Sequence, residues 1–228
     1  MAHLKRLRTP KTWQLKQRKE PTFIARPLPG PCKLSEATTL NYVLIDLLHY
    51  AKTAREVQFI LNSGKIVVNN KVRKTLRFPV GLLDIVSIPE ENKFYRLVYD
   101  KFNKFSLVQV NHKEAAFLLC KIVNKTVLSV NKIQLNFHNG CNLLVDSNAY
   151  KVSDSVLLNA NKIEKHLKFE LGARVYLTAG KSKGKVGTLE KTEKPSELSP
   201  ELVTVNNGTE NVVTIKDYVF VIDKEFTL

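Results

Sequence analysis

Arg174-Val175-Tyr176-Leu177-Thr178-Ala179-Gly180-Lys181-Ser182-Lys183-Gly184-Lys185-Val186-Gly187-Thr188-Leu189 carries β-type residues on both sides of a loop of glycine and lysine. A strand runs into the loop and a strand comes out. The phosphate loop of a nucleotide-binding α/β fold needs G-x-x-x-x-G-K-[ST] between a strand and a helix. Here no Lys-Ser or Lys-Thr pair follows the second glycine, so that fold is excluded. Gly180, Gly184 and Gly187 permit backbone conformations closed to other residues and a close approach to phosphate, while Lys181, Lys183 and Lys185 surround the loop with charge. Further β-type runs at 202–205, 212–215 and 218–222 complete a small β-barrel over 171–228. This segment holds eight basic and eight acidic residues, so the loop is a cationic feature on a neutral body.

Upstream, residues 106–170 read as a small β-rich domain. Short runs at 126–130, 133–137, 143–145 and 156–158 are separated by Asn, Gly and Asp turns, and one helix is expected over 113–121. Its net charge is +3, and no site is evident in it.

Residues 35–105 begin with helical periodicity. Leu40, Val43, Leu44, Leu47, Leu48 and Ala51 recur at helical spacing behind a weak capping signal at Ser35. A second helix fits 53–62, with Thr53 as N-cap, Glu56 at N3 and Gly64 beyond its end. The period then drops to two: 66–68, a turn at Asn69-Asn70-Lys71, and 72–73 predict a hairpin. Further strands follow at 82–88, 94–99 and 105–110. Lys65, Lys71, Arg73, Lys74 and Arg77 are five cations with no acid between 65 and 77. Alternation is expected to put Lys71 and Arg73 on one side of their strand, spaced for phosphates, while Ile66 and Val68 stay buried.

The first 33 residues concentrate charge: Lys5, Arg6, Arg8, Lys11, Lys16, Arg18, Lys19, Arg26 and Lys33 stand against Glu20 alone, a net +8. Arg26-Pro27-Leu28-Pro29-Gly30-Pro31 forbids helix. An extended basic arm over 1–34 is expected, ordered only against a charged partner, with Trp13 and Phe23 suited to stacking on bases.

For the whole chain, 36 Lys and Arg against 21 Asp and Glu leave +15 over 228 residues, with a pI near 9.7. A cationic excess of this size points to a polyanion, and phosphate contacts supply most non-specific nucleic-acid affinity. No run approaches the roughly 20 apolar residues a spanning helix requires, so no membrane is expected. The start lacks the apolar stretch of a secretory signal, and its prolines interrupt a transit-peptide helix. Cys32, Cys120 and Cys141 are odd in number and never C-x-x-C, which suggests reduced, buried thiols in a cytosolic protein without a metal site. The histidines at 3, 49, 112, 138 and 166 form no catalytic or ligating pattern, so neither an enzyme nor a cofactor nor a small-molecule substrate is expected.

His3-Leu4-Lys5-Arg6, Pro10-Lys11-Thr12-Trp13, Gly30-Pro31-Cys32-Lys33-Leu34, Val72-Arg73, Pro79-Val80-Gly81 with Asp84-Ile85-Val86-Ser87-Ile88, and Leu97-Val98-Tyr99-Asp100 stand in an order that resembles the eukaryotic and archaeal small-subunit ribosomal protein family "S four e". The resemblance spans nearly the whole chain. It implies an α+β, mostly β protein: a basic extended N-terminal arm (1–34), a helix-helix-hairpin RNA-binding domain (35–105), a central β-rich domain (106–170) and an SH3-like barrel with a KOW motif (171–228). The implied function is structural, in cytoplasmic ribosomes. Small-subunit ribosomal RNA is bound through the arm, the Lys65 to Arg77 hairpin and the Lys181 to Lys185 loop, beside neighbouring ribosomal proteins and in support of translation. Cytoplasmic eukaryotic members of that family generally continue past the barrel into a basic tail, and this sequence departs from that pattern, ending at Phe226-Thr227-Leu228. The competing function is an RNA-binding transcription or RNA-processing factor off the ribosome.

Overall fold

The computed structural model describes residues 3–128, 132–146, 148–160, 162–194, 196, 199–208, 210–223 and 226. The end of the expected strand 126–130 and the terminal Thr227-Leu228 lie outside them. The chain divides into two compact units, Met1–Ala116 and Phe117–Thr227, and both are mostly β.

In the first unit, β1 (Leu4–Lys5) pairs with β2 (Phe23–Ile24), and β3 (Ala37–Thr39) pairs with β6 (Pro79–Gly81). A five-stranded antiparallel sheet has the order β5-β4-β7-β8-β9, built from β4 (Val67–Val68), β5 (Lys71–Val72), β7 (Ile85–Ile88), β8 (Lys93–Tyr99) and β9 (Phe105–Gln109). Helix α2 (Ala54–Asn62) starts as its residues dictate. The Thr53 hydroxyl accepts from Glu56 N–H, and the Glu56 carboxylate accepts from Lys52 N–H and the Thr53 hydroxyl, so orphan donors of the first turn are satisfied.

The long helix expected from Ser35 is shorter. Residues 37–39 are strand β3, and the cap is Thr39, whose hydroxyl accepts from Tyr42 N–H. Helix α1 (Leu40–Tyr42) then opens into a π-helical turn (Val43–Leu47) that stops at His49, φ 56°. The apolar period is that of a helix, but pairing with β6 takes the residues that would have begun it.

The extended arm also needs correction. Trp13 is fully buried, its indole N–H donates to Ala37 O at 3.1 Å, and its ring lies 5.0 Å from that of Tyr42. Phe105 N–H donates to Thr12 O at 2.8 Å. The segment therefore folds onto its own unit. Removing a buried aromatic of this size costs about 3–5 kcal/mol, enough to order the residues around it.

The second unit holds two antiparallel sheets, each with its own core. One runs β12-β11-β10-β13-β14, from β10 (Leu118–Val127), β11 (Ile133–Phe137), β12 (Asn142–Val145), β13 (Ser155–Asn159) and β14 (Lys162–Leu167), around Cys120, Ile122, Leu135 and Val156. The other runs β18-β17-β16-β15-β19, from β15 (Arg174–Leu177), β16 (Val186–Glu193), β17 (Leu202–Asn206), β18 (Asn211–Ile215) and β19 (Val219–Val221), around Val175, Leu177, Val203 and Val219. The expected helix 113–121 is corrected: α3 is only His112–Ala115, and from Leu118 the chain is β10, paired with both β11 and β13. Apolar residues at consecutive positions suit a central strand as well as a helix, and only the two partner strands choose between them. Among the described residues no helix is long and apolar enough to cross a membrane.

Candidate nucleic-acid interface

Folding of the N-terminal segment puts several of its cations into fixed settings. Arg6 donates from Nη1 to Gln17 O at 2.8 Å, and Lys16 Nζ lies 3.3 Å from His49 Nε2. Asp46, on the π-helical turn, lies within reach of all three charges. Burial holds its carboxyl above the usual carboxylate range, with Arg6, His49 and Lys16 acting in the opposite direction. Lys5, Arg8, Lys11, Lys16, Arg18, Lys19 and Lys33 remain exposed. Trp13 does not: its ring has no face left for a base.

The hairpin meets this segment through its return. Arg77 Nε donates to Arg26 O at 2.8 Å and Leu28 N–H donates to Arg77 O at 2.9 Å. Cations 51 positions apart in the chain are thus adjacent. Asn69 and Asn70 both have positive φ, the geometry of a two-residue turn that matches strand twist. Lys71 is the first strand residue after that turn, opposite Val68, so it is not part of the turn. Ile66 and Val68 are buried, while Lys65, Lys71 and Lys74 are exposed. Arg73 is half-buried with its guanidinium 4.3 Å above the Phe78 ring, and Lys65 pairs with Glu90 at 2.9 Å. The Nε atoms of Arg6 and Arg73 are buried without a hydrogen-bond acceptor among the described residues.

Beneath the hairpin turn lies Asp84, a buried acid. Its carboxylate accepts from Asn69 Nδ2 and from Gly81 N–H, both at 2.7 Å, and Asn69 Oδ1 accepts from Ile85 N–H. Burial pushes Asp84 up to about 6, against these hydrogen bonds and the nearby charge of Arg73.

In the second unit the glycine loop closes by Gly184 N–H donating to Leu177 O at 2.7 Å and Leu177 N–H donating to Lys185 O at 3.0 Å. Gly180 and Gly184 both sit at φ 84°, where a side chain is strained. Gly187 has a different reason: a Cβ there would lie 2.4 Å from Asn206 O on β17. Lys181 and Lys185 are exposed; Lys183 is half-buried, and burial holds its amine below the usual lysine range. The loop rests on the turn 216–219, where Thr178 donates through both N–H and hydroxyl to Tyr218 O. Lys121 holds that turn from below. Its buried Nζ donates to the carbonyls of Lys216, Asp217 and Val219 at 3.2, 2.9 and 2.8 Å. Burial lowers it to about 8. His138 accepts from Lys121 N–H, packs edge-on to Phe220 at 4.8 Å, and is pushed by burial down to about 4.

Residue-level reasoning missed the supporting roles of Asp84 and Lys121. The signal for Asp84 was its place after Pro79-Val80-Gly81; Lys121, inside an expected helix, gave none. Of the cysteines, Cys120 is buried, Cys32 half-buried and Cys141 exposed, so the expectation of three buried thiols fails at Cys141, next to the 138–140 turn. Among the described residues no group of three or more His, Cys, Asp or Glu is placed to hold a metal.

The model of "Ribosomal family S4e" matches residues 91–164, and that of the "RS4NT (NUC023) domain" matches residues 2–35. Small ribosomal subunit protein eS4 of Methanocaldococcus jannaschii is 38% identical over 234 residues, and that of Archaeoglobus fulgidus 40% over 225; each alignment covers 98% of this chain and 94% of the relative. The crystal structure of the 30S ribosomal protein S4e from Thermoplasma acidophilum superposes with a TM-score of 0.71 at 30% identity, covering 83% of this chain and 96% of that one. By these similarities, which run through both units, the chain belongs to ribosomal family S4e.

Proposed function

We propose that this protein is a structural constituent of the small ribosomal subunit that holds ribosomal RNA through distributed phosphate contacts and works in cytoplasmic ribosomes without catalysis. Similarity over nearly the whole chain to proteins named small ribosomal subunit protein eS4 carries the proposal. The exposed lysines of 5–33, the hairpin cations and Lys181 and Lys185 supply the charge, with Lys183, Arg6, Arg73, Arg26 and Arg77 set partly into the surface beside them. Contacts of this kind fix position on RNA and carry little sequence information. Residues 35–105 act as the helix-helix-hairpin RNA-binding domain, with 1–34 as its basic flank. Residues 106–170 form a spacer with partners among neighbouring ribosomal proteins. Residues 171–228 form an SH3-like barrel whose Gly180 to Gly187 loop is a KOW motif.

The test is sedimentation of lysate at low and high salt, probing each fraction for this protein and for small-subunit RNA. Co-migration with small subunits that resists moderate salt is expected; a slow soluble pool would instead indicate a factor acting off the ribosome. At the residue level, Arg73→Ala with Lys74→Ala should lower the slope of log affinity against log salt by about 1–2, at roughly 0.7–0.9 per phosphate contact.

A further inference from the structure

We propose that Phe102 is a stacking platform for an unpaired base of ribosomal RNA, an inference that rests on the RNA-binding role proposed above. Of the two aromatics first expected to stack, Trp13 is inside the unit, and Phe23 is exposed with its ring 5.3 Å from that of His3. Phe102 is 77% exposed at the tip of the β8–β9 hairpin. A single exposed apolar residue is ordinary on a protein surface; what distinguishes Phe102 is its setting.

The tip is rigid. Asn103 N–H donates to Asp100 O at 2.8 Å, Asp100 N–H donates to Lys104 O at 2.7 Å, and Asn103 takes φ 60°, which is a type I turn closed by a left-handed residue. Below it Tyr99 and Phe105 are buried and stacked, with centroids 5.1 Å apart and planes 20° from parallel. A ring carried on so fixed a support loses little freedom when something packs on it.

The surroundings are cationic. Lys101 is exposed beside Phe102, and Lys104 is half-buried two positions on. The bond from Phe105 N–H to Thr12 O brings the N-terminal segment to the root of the hairpin, one residue from exposed Lys11. Asp100 is the one acid in the loop, and no other apolar side chain stands on it between Asp100 and Lys104. A protein-docking aromatic sits within an apolar patch with a polar rim; a lone exposed ring among lysines matches the phosphate and base of a single strand.

The experiment uses the full chain and a transcript of small-subunit ribosomal RNA, with affinity measured by filter binding across salt concentrations and unpaired bases probed by chemical modification. Trp13 emission checks that each variant is folded. Phe102→Ala and Phe102→Leu should each lose about tenfold in affinity, the scale of one base–aromatic stack, while Phe102→Tyr stays within about twofold of the parent. The salt slope should be the same in all four proteins, since no phosphate contact is removed. At least one base protected by the parent and by Phe102→Tyr should become reactive with Phe102→Leu. Unchanged affinity for Phe102→Ala, or full retention by Phe102→Leu, overturns the stacking assignment while leaving RNA binding intact. If Phe102→Ala binds the transcript normally yet fails to enter small subunits, Phe102 docks on protein and the assignment is overturned in that direction. A parent protein that does not bind the transcript removes the RNA-binding role itself, and the inference with it.

Discussion

In the Met1–Ala116 unit the buried ionisable group beneath the candidate RNA loop is an acid; in the Phe117–Thr227 unit it is a base. Asp84 accepts hydrogen bonds from Gly81 N–H and from the Asn69 side chain under the Asn69-Asn70 turn, whereas Lys121 donates to three carbonyls of the turn on which the glycine loop rests. The sign of the charge follows from which backbone groups face inward: N–H groups call for an acceptor and carbonyls for a donor. A buried charge carries a desolvation cost that hydrogen bonds must offset. Each unit accepts that cost directly under a loop that presents cations, where a shifted turn would displace every contact above it. The difference teaches that a common need, a loop held at fixed height, is met with opposite charge according to the local backbone.

The comparison requires that each unit respond to its own centre. The largest expected effect is Trp13→Ala, which should destabilise the first unit by about 4 kcal/mol. Hydrogen exchange should then rise around Ala37 and Tyr42 and stay unchanged around Ile122 and Val175; loss of protection in both units would show that they unfold as one. Lys121→Met comes next, at about 3 kcal/mol, because three carbonyls lose a charged donor. Methyl NMR of Val219 and Val221 during urea titration should show the loss, with Trp13 emission, which reports only on the first unit, unmoved.

Acidification should separate the units by sign. Asp84, raised to about 6, contributes stability that is full below the ordinary aspartate range and lost as pH rises through 6. His138, lowered to about 4, contributes stability that is full above about 6.5 and lost as pH falls through 4. Between pH 6 and 4 these two groups should therefore stabilise the first unit and destabilise the second, each by roughly 2 kcal/mol. Urea titrations at both pH values, read by Trp13 emission and by the Ile122 methyl group, measure the two slopes. Asp84→Asn should reduce the first slope alone, leaving the share that Asp46 contributes, and His138→Gln the second alone. The smallest effect is Thr53→Ala, about 1 kcal/mol from a lost N-cap; fraying should appear at α2 by hydrogen exchange without reaching the glycine loop.

Much of this was legible in the sequence. The capping pair Thr53 and Glu56, the Asn69-Asn70 turn and the strands at 133–137 and 202–205 depend on local chemistry, and the structure forms them as expected. The candidate cations were legible as residues. Which of them stand free was not: Lys71 is exposed, but Arg73 lies over Phe78 and Arg77 is tied to Arg26. Trp13 in a proline-rich basic run resembles a stacking residue as closely as an anchor, because its neighbours in sequence are not its neighbours in space. Phe102 reads in the sequence as one residue of a turn, and its exposure is decided only by the fold.

By itself the sequence determined the sign and size of the charge, the predominance of β structure, the helix α2, the hairpin turn and a glycine loop entered and left by strands. Each of these is set within a few residues, by side-chain period, capping or the steric freedom of a turn. Only the tertiary structure decided that 37–39 and 118–121 are strands, that Trp13 closes a core, and that Asp84 and Lys121 lie under the two loops. Those outcomes turn on pairing and burial between residues far apart in the chain, where a partner strand or a cluster of carbonyls outweighs local preference.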